Sequence, residues 1–61
     1  MSMKEALEQH LNKKIWIIMT GMSQPCIGSV KEICNDWFVM ETTNGFQYFD
    51  MTKTITFWED K

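Results

Sequence analysis

The residues best able to do chemistry sit in two short stretches. Asn35-Asp36 is followed at once by Trp37-Phe38, and Asp50-Met51-Thr52-Lys53 follows Phe46, Tyr48 and Phe49. A loop aromatic can stack on an unpaired base, worth about 1–3 kcal/mol. A carboxylate such as Asp50 can accept from a base edge, and an ammonium such as Lys53 can meet a phosphate. Each also has a plainer reading. Trp37 can open a core strand with Phe38 filling its opposite face, and Asp50 to Lys53 can be a turn with solvated charges. Catalysis has almost no foothold. His10 is the only histidine, it falls on a helical pattern, and no Ser, Cys or Asp follows at a motif spacing. Cys26, Cys34 and His10 lack zinc-ligand spacing, and Gly21 and Gly28 form no phosphate loop. The expectation is a non-enzymatic protein with no cofactor and no metal.

The elements that would position these residues are legible in order. Ser2 and Glu5 read as a capping box. Met3, Leu7 and Leu11 follow at spacing four, with His10 to one side, so a helix over about 3–12 lies on something through one apolar stripe. Asn12 suits a left-handed helix end. The first strand covers about 14–20, with Ile15, Ile17 and Met19 on one face and Trp16 and Ile18 on the other. Gly21 to Pro25 is a loop. The second strand, about 26–34, carries Gly28 as a point of close backbone approach, and Val30 and Ile33 break alternation, as at a bulge. Asn35-Asp36 is a tight turn before a third strand over about 37–43. Asn44-Gly45 favours a type I′ hairpin. A fourth strand spans about 46–50 and a β-rich fifth about 54–58. One domain over 1–61 is expected, mainly β with one N-terminal helix: a five-stranded, strongly bent antiparallel small barrel of SH3 type, over about 14–58.

Size and composition bound what such a domain can do. Sixty-one residues bury only about 60% of the unfolded surface. Three Trp, four Phe, one Tyr and six Met are generous for so small a core, and a surplus of apolar surface favours self-association. The net charge of −2 argues against a general polyanion binder. Two cysteines are too few for a disulfide framework, and the polar, charged start carries no signal peptide. Both thiols read as reduced in a cytoplasmic protein. The apolar run from Ile15 to Met19 is far too short to cross a bilayer, so no membrane partner is expected.

A helix followed by five bent strands, with a glycine early in the second, resembles the Sm-like (LSm/Hfq-like) family over nearly the whole chain. The first motif would be Ile15-x-Ile17-x-Met19-x-Gly21, then Gly28-x-Val30, then Asn35-Asp36-Trp37-Phe38-Val39-Met40. The second would be Phe49-Asp50-Met51-Thr52-Lys53, which has an acid where the family keeps a base. The resemblance implies a homo-oligomeric ring of about five to eight subunits, each pairing strand four with a neighbour's strand five, which removes exposed sheet edges. Phe46, Tyr48, Phe57 and Trp58 would line that subunit interface. It also implies single-stranded RNA binding at rim loops: Trp37 and Phe38 stack, Asp50 reads a base, Thr52 lies in the same loop and Lys53 neutralises phosphate. Gln9 and Asn12 lie where related helices contact RNA, or are ordinary helix surface. The competing expectation is a small SH3-like interaction or structural module that binds a protein partner and no nucleic acid.

Overall fold

The computed structural model describes residues 2–61, with Ile55 described by its backbone alone. Its order is α1 (Met3–Glu8), β1 (Lys14–Met19), β2 (Cys26–Ile33), β3 (Trp37–Thr42), β4 (Gly45–Asp50), a 3₁₀ turn (Met51–Lys53) and β5 (Thr54–Glu59). The five strands form one antiparallel sheet in the order β4-β3-β2-β1-β5. The sheet is open: β4 and β5 are its two edges. Overall extents of 26 × 24 × 21 Å are nearly equal, because the sheet bends around its own apolar face.

The capping box forms as the sequence predicts. Glu5 N–H donates to Ser2 Oγ, and Ser2 N–H donates to Glu5 Oε1. The helix, however, stops at Glu8 with Gln9 as its cap, well short of residue 12. The cause is tertiary. Leu11 bridges Val30 in parallel, Asn12 N–H donates to the Val30 carbonyl at 2.7 Å, and Val30 N–H donates to the Lys13 carbonyl. Strand β2 thus takes over the backbone groups that a longer helix would have used. Asn12 does adopt the left-handed conformation, with φ 65°, but after this detour. The stripe is shortened as well: Leu7 is fully buried and Met3 packs on the core, while Leu11 is 45% exposed.

Alternation places Ile15 and Ile17 of β1, Val30 of β2, and Phe38 and Met40 of β3 inside, all completely buried, with Leu7 above them and Met19 and Met51 at the margin. Bends occur where the pattern breaks. The β2–β3 register slips between Val30 and Glu32, and the β1–β5 register slips between Ile18 and Met19; each extra residue increases local twist. Gly28 lets β3 approach closely, since a Cβ there would lie 2.8 Å from the Glu41 carbonyl oxygen.

The β3–β4 hairpin differs from the expectation. Asn12 is the only described non-glycine residue with positive φ, so Asn44 does not take the conformation a type I′ turn requires. Thr42 pairs with Gly45 instead, Gly45 takes φ 99°, and the Thr42 hydroxyl accepts from Asn44 N–H and donates to the Gly45 carbonyl. The threonine side chain stabilises a turn at Thr43-Asn44 with the left-handed residue displaced to Gly45. Among the described residues, no helix is long and apolar enough to cross a membrane.

Candidate functional site

Cross-strand register brings the two sequence stretches together. Trp37 is paired directly with Asp50, Phe38 with Phe49, and Val39 with Tyr48. Met51 N–H donates to the Asp36 carbonyl at 2.9 Å, which ties the β2–β3 turn to the 3₁₀ turn. Lys4 Nζ donates to Asn35 Oδ1 at 2.8 Å and anchors the same turn to the helix. Asn35 to Trp37 and Asp50 to Lys53 therefore lie at one end of the sheet.

The aromatic pair splits by the alternation of β3. Trp37 is on the outer face, 38% exposed, with its ring centroid 5.6 Å from that of Tyr48 and the planes inclined by 44°. Phe38 points the other way, is completely buried, and stacks on Phe49 at 5.3 Å. The expected base-stacking role of Phe38 is corrected accordingly: its ring belongs to the core and has no surface to offer.

Asp50 and Thr52 act first on each other. Asp50 Oδ1 accepts from both Thr52 N–H, at 2.9 Å, and Thr52 Oγ1, at 2.7 Å, and so caps the 3₁₀ turn. Those two bonds, the hydroxyl first, hold the Asp50 carboxyl below its ordinary pKa, and the nearby charge of Lys53 acts in the same direction. Lys53 is exposed; its carbonyl accepts from Thr20 N–H and Thr20 Oγ1.

The expected interface residues divide too. Phe46 and Tyr48 on β4 are 63% and 73% exposed, and Trp58 on β5 is 43% exposed. Trp58 stacks on Trp16 at 6.5 Å, and the Trp16 indole N–H donates to Asp60 Oδ1. Phe57 instead turns inward beside Ile17, packs against the core, and meets the His10 ring in a T-shaped contact. Its ring serves the core, while its backbone stays on the β5 edge. His10 has a packing role: its Nδ1 donates to the Ala6 carbonyl, and its ring covers Phe57. Among the described residues, no group of three or more His, Cys, Asp or Glu could hold a metal ion.

What the sequence reading missed was the partnership of Trp37 with Tyr48. The signal for it was the period-two run Phe46, Tyr48, Asp50 facing Trp37, Val39, Glu41, which needs the hairpin register to be read. No family model matches the chain, and no curated protein matches it.

Proposed function

We propose that this chain is a non-enzymatic, self-assembling small barrel of the Sm-like kind, in which the β4 edge of one subunit takes the β5 edge of the next to close a ring of about five to eight copies. One observation carries the reading. β4 and β5 are the two free edges of an open sheet, and Phe46, Tyr48 and Trp58 lie exposed on those strands. Unpaired edge backbone is a liability that a partner strand removes. The two unbonded thiols, Cys26 and Cys34, fit a reducing, cytoplasmic setting. Native mass spectrometry tests the proposal. A closed oligomer of defined size is expected, and a monomer at micromolar concentration would sink it.

A second reading, single-stranded RNA binding, is favoured by the exposed Trp37 at the same end of the sheet as the solvated Lys53. Trp37 would stack on a base, Asp50 and Thr52 would meet a base edge, and Lys53 would neutralise a phosphate. Affinity for an oligouridine should then fall steeply as salt rises. An affinity indifferent to salt, or no binding at all, removes this reading and leaves a protein partner.

A further inference from the structure

The outer face of β3 and β4 is more than an apolar patch. Its cross-strand rows interleave rings with acids: Asp50 beside Trp37, Glu32 and Tyr48 on either side of the nearly buried Val39, Phe46 beside Glu41. The rings of Trp37 and Tyr48 touch at 44° with centroids 5.6 Å apart, and both keep exposed surface, 38% and 73%. Three carboxylates share this face with Lys31, whose Nζ lies 3.8 Å from Glu41. Among the described residues, Glu32 and Asp50 form no ion pair, and Asp50 Oδ2 forms no hydrogen bond. Lys53 lies near enough to Asp50 to act on its charge, at the end of the face, and Lys4 is held by Asn35.

The occupant of such a face is constrained by charge. A phosphate backbone would be brought against unpaired carboxylates. A purely apolar partner would have to desolvate them without compensation. A cation satisfies both features, because ring faces carry the negative part of the aromatic quadrupole and the acids supply ionic partners. Among side-chain cations the guanidinium suits best: it is planar, stacks on aromatic faces, and offers paired donors to a carboxylate.

We infer that Trp37, Tyr48, Asp50 and Glu32 form a recognition site for an arginine side chain on a basic segment of a partner protein. The site does not depend on the ring. A strand added beside β4 lies in the plane of the sheet, whereas this face opens perpendicular to it.

The test is calorimetric titration with two blocked peptides of equal length and charge, one bearing arginines and one lysines at the same positions, alongside an oligouridine. Native mass is recorded for each protein sample, so that loss of assembly is read separately from loss of binding. The arginine peptide is expected to bind several-fold more tightly than the lysine peptide. Trp37→Ala, which leaves the charge unchanged, should weaken it by about fivefold, and Asp50→Asn should weaken it as well. Tyr48→Ala removes the second ring from a well-exposed position, and it decides the matter if the tryptophan variant does not fold. Equal binding of the two peptides, or unchanged binding in both ring variants, would reduce the effect to net charge and overturn the site. Oligouridine binding that disappears in Trp37→Ala would overturn it in favour of nucleic acid.

Discussion

Neighbouring residues in this chain have opposite fates, and substitutions should report it. Phe38→Ala empties a fully buried site and should cost about 3–5 kcal/mol, which for a domain of this size removes most of the folded population. Trp37→Ala, one residue earlier and partly exposed, should cost much less, about 1 kcal/mol. Urea unfolding followed by circular dichroism separates the two; equal losses would mean that Trp37 is core. Gly28→Ala tests close approach. Met40 Cε could swing aside, but the Glu41 carbonyl 2.8 Å from the new Cβ belongs to the paired backbone. A loss of about 1–3 kcal/mol is expected, and unchanged stability would show that the two strands can part at no cost. Alternation sorted β1 and β3 into faces: Ile15 goes with Ile17, and Phe38 with Met40, while Val30 broke the pattern. It could not decide between Trp37 and Phe38, because both are large, apolar and strand-forming, and only the phase set by the turn separates them.

At the scale of elements, local signals held where the chain answers to itself and failed where distant backbone intervenes. The Ser2–Glu5 box is local, and it forms. The last turn of helix expected after Glu8 is lost because β2 claims residues 11–13, a competitor that no window around residue 10 contains. The hairpin gives a sharper case. Asn44-Gly45 as the centre of a type I′ turn would set Thr43 opposite Phe46 and Val39 opposite Asp50, whereas the Thr42 hydroxyl stabilises a turn that sets Trp37 opposite Asp50. The faces are preserved by this two-residue slide, but the neighbours change. Two capped elements also predict a pH response. Ser2, through its backbone N–H and then its hydroxyl, holds Glu5 below its ordinary pKa, as Thr52 does Asp50. A carboxyl lowered in the folded state contributes fully above its unfolded pKa and loses that contribution as pH falls through the folded value. The stability gap between the native chain and Glu5→Gln should therefore be largest near neutrality and shrink below the ordinary carboxylate range. A gap independent of pH from 7 to 2, measured by urea titration, would refute the link. Ser2→Ala should itself cost about 0.5–2 kcal/mol.

For the whole molecule, the open sheet leaves two edges, β4 and β5, that the proposed assembly would use. Phe46→Lys puts a charge on β4 at a position 63% exposed, so the single chain should unfold at nearly its normal denaturant concentration while any assembly dissociates. Unchanged native mass would show that β4 is not where subunits meet. The strand order has one more consequence, for synthesis. β1 occupies residues 14–19, but one of its two partners, β5, is made only at residues 54–59, and Ile15 pairs with Glu59 across nearly the full length of the domain. Contacts that far apart in sequence close late. A nascent chain stopped at Lys53 could build the β1–β2–β3–β4 meander, yet it would present Trp16, Ile17 and Ile18 along a bare edge. The ribosome must release the fifth strand before this domain has a finished side, and until then its most apolar segment is the one a chaperone would find.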